Sequence, residues 1–90
     1  GWRSLHQAPG VLAGGKARSI FEDGRGDYWI GSEYDGIAFF GGDPFQTKSK
    51  VFTPQQGLAG WEVKAMLQDS SGDLWLGTEN GITRILKQAQ

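Results

Sequence analysis

The chain has 90 residues, the length of one small domain, and its 38% hydrophobic and 21% charged residues exclude a disordered polymer. A net charge of −1 gives no electrostatic reason to bind nucleic acid or an anionic membrane surface, and no apolar run approaches the ~20 residues that cross a bilayer. With no cysteine and a single histidine, His6, there is little from which to build a disulfide, a thiolate or three-histidine metal site, or a serine–histidine–aspartate constellation.

Taken in chain order, the sequence spells short strands separated by turns. Trp2–Gln7 is the first candidate strand. Ala17–Asp23 follows, ending at Asp23-Gly24-Arg25-Gly26-Asp27. There the first aspartate can accept from nearby backbone N–H groups, and Gly26 tolerates a positive φ. Tyr28-Trp29-Ile30 is apolar on both parities, so both faces of its sheet are expected to be covered. Gly31 stands where a neighbouring backbone or ring comes close. Tyr34-Asp35-Gly36 turns the chain into Ile37–Phe40, and Lys50–Thr53 supplies another strand before Gln56-Gly57. Val63–Asp69 is read as a strand. Val63, Met66 and Leu67 also have helical spacing, but so short a helix is marginal in water. Asp69-Ser70-Ser71-Gly72-Asp73 is a second tight turn, Leu74-Trp75-Leu76 a second doubly apolar strand, and Gly77 a second close-approach glycine. Asn80-Gly81 signals a two-residue hairpin into Ile82–Leu86.

The order is one period written twice. Displaced by 46 places, Leu12-Ala13-Gly14 falls on Leu58-Ala59-Gly60, Asp23 on Asp69, Gly26 on Gly72, Trp29 on Trp75, Gly31 on Gly77 and Glu33 on Glu79. After one extra residue in the first copy, Gly36-Ile37 matches Gly81-Ile82. Four short antiparallel strands, covered on both faces and recurring every ~45 residues, make one blade of a β-propeller. A β-sandwich asks for no repeat, and a parallel β-helix has a much shorter one. The fold class expected is therefore all-β, a propeller of four-stranded antiparallel blades with two blade equivalents in the chain. Residues 17–62 form a complete blade, 63–90 the first three strands of a second, and 1–16 a closing fourth strand with its loop.

The phrase VKAMLQDSSGDLWLGTENGITRI, residues 63–85, resembles the two-component-regulator propeller repeat, with its Asp-x-x-Gly-x-Leu-Trp-x-Gly-Thr core followed by Asn-Gly-Ile. Residues 17–40 are similar, with Tyr28, Ser32 and Tyr34-Asp35-Gly36 as departures. The resemblance implies extracytoplasmic sensor propellers, periplasmic or extracellular, often implicated in sensing carbohydrate.

Gln90 ends near the phase of Phe45 and Gly1 begins near that of Thr47. Each end would then supply what the other lacks. Two blades cannot close a ring, so the expected partners are copies of the chain itself, joined head to tail. A trimer would give six blades and a tetramer eight.

Few residues suggest chemistry, and no catalytic residue, metal or cofactor is expected. The paired aspartates of the turns lack the further carboxylates of a calcium loop, and Arg25-Gly26-Asp27 occurs in one copy only. Trp29 and Trp75 are expected to pack between blades, and His6 to be structural or surface. One ring face would gather Gly60, Trp61, Glu62, Glu33, Tyr34, Asp35, Glu79 and Asn80, a surface suited to a saccharide: aromatic for the sugar face, polar for its hydroxyls. Arg18 and Lys64 would stand at the channel mouth. The reading is a non-catalytic, self-assembling propeller module; the alternative is a carbohydrate- or peptide-binding fragment of a two-component sensor.

Overall fold

The computed structural model describes residues 1–4 and 16–90. Two antiparallel sheets lie one after the other in sequence. The first runs in the order β1 (Ala17–Glu22), β2 (Tyr28–Ser32), β3 (Ile37–Phe40) and β4 (Lys50–Phe52). The second holds β5 (Val63–Gln68), β6 (Leu74–Thr78) and β7 (Gly81–Ile85). Single 3-10 turns at Pro54–Gln56 and Lys87–Ala89 are the only helical pieces among the described residues. The segment with helical spacing is β5, because Met66, Leu67 and Gln68 find cross-strand partners in Leu76, Trp75 and Leu74. Gly1–Ser4 is exposed and forms no strand; the rest of the expected N-terminal strand, with His6 and Leu12-Ala13-Gly14, lies outside the described residues.

Both aspartate turns close in the same way. Asp23 Oδ1 accepts from the backbone N–H groups of Arg25 and Asp27 at 2.9 and 3.0 Å, while Oδ2 accepts from the Trp29 indole at 3.0 Å. Asp69 repeats the set with Ser71, Asp73 and Trp75 at 2.9, 3.0 and 2.9 Å. Gly26 and Gly72 take the positive φ the turn requires, 83° and 90°. One carboxylate thus orders a turn and anchors a tryptophan on the next strand. The hairpin of the second sheet differs slightly from its expected register: Thr78 pairs with Gly81, so its loop is Glu79-Asn80 and Gly81 already belongs to β7.

Paired residues share a sheet face. On β1–β3, Phe21, Trp29, Gly31, Ile37 and Phe39 look one way, while Ile20, Tyr28, Ile30, Ala38 and Phe40 look the other. The corresponding sets of the second sheet are Leu67, Trp75, Gly77, Ile82 and Arg84 against Met66, Leu74, Leu76, Thr83 and Ile85. The main core forms where the Trp29 face of the first sheet meets the Leu74 face of the second. Trp29, Ile37, Leu58, Val63, Leu74 and Leu76 form one buried cluster, flanked by Phe21, Phe39, Phe52, Met66 and Ile85. Gly31 allows this approach, since a Cβ there would stand 2.6 Å from the Val63 carbonyl oxygen and 2.8 Å from its Cβ, and would strike the Ser19 hydroxyl. Polar links cross the same seam: Ser19 Oγ donates to the Val63 carbonyl at 2.8 Å, and Gly24 N–H to Gln68 Oε1 at 2.9 Å.

Candidate functional site

Two surfaces stand out. The first is the rim where β1 and β5 begin. Each strand carries a bulge there, at Arg18 between Ala17 and Ser19 and at Lys64 between Val63 and Ala65. The bulges turn the two cations into a row of charges. Lys16 Nζ lies 3.7 Å from Glu33, and Arg18 reaches Glu33 at 2.7 Å and, across the seam, Glu62 at 2.9 Å. Lys64 Nζ lies 3.8 Å from the same Glu62. Arg18 and Lys64 are therefore paired with carboxylates, and hydrogen bonding to Glu33, then its charge, pushes the Arg18 guanidinium pKa upward.

Glu79, the repeat partner of Glu33, accepts from the backbone N–H groups of Trp61 and Glu62 at 3.2 and 3.0 Å. The Glu62 N–H bond is the largest cause holding its carboxyl below the usual range. Asn80 donates its amide to the Ala59 carbonyl at 3.0 Å, and Ser32 Oγ accepts from the N–H groups of Tyr34 and Asp35 at 3.1 and 2.9 Å. A bond from Gly36 N–H to the Trp61 carbonyl, 2.8 Å, ties the two loops together. The expected cluster of Glu33, Tyr34, Asp35, Gly60, Trp61, Glu62, Glu79 and Asn80 thus joins adjacent loops. Its polar groups largely bind one another. What it offers outward is aromatic: Trp61 and Tyr34 are both exposed, with Lys16 Nζ 5.5 Å above the Tyr34 ring.

The second surface is the Trp75 face of the second sheet. Leu67 is 55% exposed and Ile82 71%, where their counterparts Phe21 and Ile37 pack in the core. Ala65, Leu67, Trp75, Gly77 and Ile82 line a shallow apolar hollow of about 550 Å³. At Gly77 a Cβ would meet only Ala65, at 3.9 Å. The outer edge of β7 has no strand beside it among the described residues. Arg84 covers one end of Trp75, its guanidinium 5.0 Å from the ring, while bonding Asp73 at 2.7 Å. Asp69, below Trp75, is held under the ordinary carboxylate range first by the indole hydrogen bond, then by the N–H groups of Asp73 and Ser71.

Sequence reasoning overlooked the Ser32 and Thr78 hydroxyls, which hold the second turns of both copies. The signal was present, since both aligned positions carry a β-hydroxyl. Among the described residues no three His, Cys, Asp or Glu side chains converge as a metal-holding group.

Two sheets of one pattern, each carrying an aspartate-anchored tryptophan, make a pair of propeller blades. The two component regulator propeller matches at residues 12–34 and 59–80, together half of the chain. The chain belongs to that family. The family is one of structural repeats, so this propeller chain is a module of the kind found in two-component regulators. No curated protein matches it in sequence.

Proposed function

We propose that this propeller chain is a non-catalytic building block that assembles head to tail with copies of itself. Three copies would supply six blade equivalents and four would supply eight, with the N-terminal segment of one copy adding the last strand to its neighbour's second sheet. One observation carries the reading. The Trp75 face has the pattern of a buried surface, yet Ile82 lies 71% exposed on it. Burying a side chain of that size is worth about 1.5–3 kcal/mol, so a bare face of several such residues drives association. The rim argues against catalysis, because its carboxylates are bound by arginine, lysine and backbone N–H groups. Light scattering between 1 and 100 µM (on the order of the affinities expected for such faces) is the test. A mass of three or four protomers supports the reading, and one protomer throughout removes it.

A second reading rests on the exposed pair Trp61 and Tyr34. Aromatic faces beside amide and carboxylate groups suit a saccharide, which would bind on the rim without disturbing the seam. Calorimetry with oligosaccharides tests it, and Trp61→Ala should abolish any binding found.

A further inference from the structure

The chain holds a single asparagine, Asn80, and a glycine follows it. We propose that Asn80 is a self-modification site: its side-chain amide is lost to attack by the Gly81 backbone nitrogen. The aspartyl or isoaspartyl residue left behind loosens the hairpin of the second sheet.

The reaction needs no catalyst beyond mild base. The Gly81 nitrogen, crowded by no side chain of its own residue, gives up its proton and attacks Asn80 Cγ. A five-membered imide closes as that C–N bond forms. The Cγ–Nδ2 bond breaks, and the amide takes up a proton and leaves as ammonia, the usual route of asparagine lability. Water then opens the imide. Cleaving the new bond gives aspartate; cleaving the original peptide bond leaves the main chain running through Cγ, an isoaspartyl link.

Three pairs in the sequence could close this ring: Asp23-Gly24, Asp35-Gly36 and Asn80-Gly81, the first two with loss of water instead of ammonia. The fold separates them. Gly24 N–H donates to Gln68 Oε1 at 2.9 Å, and Asp23 is 6% exposed, its oxygens holding the N–H groups of Arg25 and Asp27 and the Trp29 indole. Gly36 is buried, and its N–H donates to the Trp61 carbonyl at 2.8 Å. Both nitrogens are thus fixed by contacts with the second half of the chain. Asn80 and Gly81 are exposed instead, at the tip of a hairpin, and opening that one turn frees them without disturbing the seam. Gly81 has a φ of 127°, a conformation that favours glycine, so the turn itself calls for the reactive pair.

The product cannot keep the contacts of the amide. Asn80 Nδ2 donates to the Ala59 carbonyl at 3.0 Å, and a carboxylate has no proton to give. It would also stand next to Glu79, whose carboxylate holds the Trp61 and Glu62 N–H groups. The hairpin therefore loses a tie to the segment before β5. An isoaspartyl link adds a further backbone atom to the loop that sets the pairing of Thr78 with Gly81, and so disturbs the start of β7.

The test ages the full chain in mildly alkaline buffer. Peptides from a digest are then read by mass spectrometry and by enzymatic methylation of isoaspartate. Ammonia release and isoaspartate at residue 80 are expected, at least about tenfold faster than any conversion at Asp23 or Asp35. Asn80→Gln keeps an amide but requires a larger ring, so it should fold alike and stay unconverted. The urea midpoint should fall from the unmodified chain to Asn80→Asp, and further in the isoaspartyl form. If Asn80 survives while a free peptide spanning Thr78–Ile82 converts, the fold protects the site and the inference is overturned. Isoaspartate arising equally at Asp23 or Asp35, or equally in Asn80→Gln, overturns it too. An aged chain with an unshifted midpoint removes the loosening.

Discussion

Ile37 and Ile82 occupy the same place in two copies of one motif, each beside the glycine that follows a tryptophan. Ile37 is 0% exposed and Ile82 71%. Their own sheets treat them alike, since each pairs with its glycine, Gly31 or Gly77. The difference comes from the next layer: Val63, Leu74 and Leu76 cover the first, and among the described residues no such layer covers the second. A repeat motif specifies a surface that wants a neighbour, and the neighbour decides whether that surface becomes core.

Pairs of equivalent substitutions should therefore diverge. The largest difference is expected for isoleucine truncation. Ile37→Ala should cost about 2–5 kcal/mol in urea unfolding, while Ile82→Ala in dilute monomer should stay within about 0.5 kcal/mol. Valine at the two glycines comes next. Gly31→Val drives a side chain into Ser19 and Val63 and should cost about 1–3 kcal/mol, whereas Gly77→Val should leave the monomer nearly unchanged. Equal losses within either pair would mean that the two faces are not equivalent surfaces in different company.

A smaller effect is expected at acid pH. Asp69 and Glu79 are held below the usual carboxylate range, so they bind protons less readily when folded than when unfolded. The stability they contribute is complete above the unfolded carboxylate pKa of about 4 and is lost as pH falls through their lower folded values. Trp75→Phe removes the first cause of the Asp69 shift, so carboxyl NMR should show Asp69 titrating nearer its ordinary value while Glu79 stays put. The smallest effect sharpens the comparison at the rim. Arg18→Ala, which breaks bonds to both Glu33 and Glu62, should lower the urea midpoint slightly, and Lys64→Ala, with Glu62 3.8 Å away, should lower it less still.

Much of this was legible in the residues. The 46-residue displacement, the aspartate–glycine turns and the doubly apolar tryptophan strands placed the described strands to within a residue or two. The hairpin register slipped by one place because Asn-Gly is a turn signal, while the pairing of Thr78 with Gly81 depends on the Thr78 hydroxyl bonding across the loop. The rim residues sit on neighbouring loops, but the partner of each is set by contacts between those loops. Arg18 bonds Glu33, 15 residues on, and also Glu62, 44 residues on and just before β5, and no local pattern encodes the second contact. The unequal burial of Trp29 and Trp75 was hidden for the same reason, since both carry one signal and differ only in company.

The most direct test of that claim is the dependence of the urea midpoint on protein concentration, for the unmodified chain beside Ile82→Lys. If copies cover the Trp75 face, association stabilises the folded state and the midpoint climbs with concentration. Ile82→Lys should give a flat line at the dilute-limit value. A midpoint that is flat for the unmodified chain, or that climbs equally for both proteins, would contradict the account.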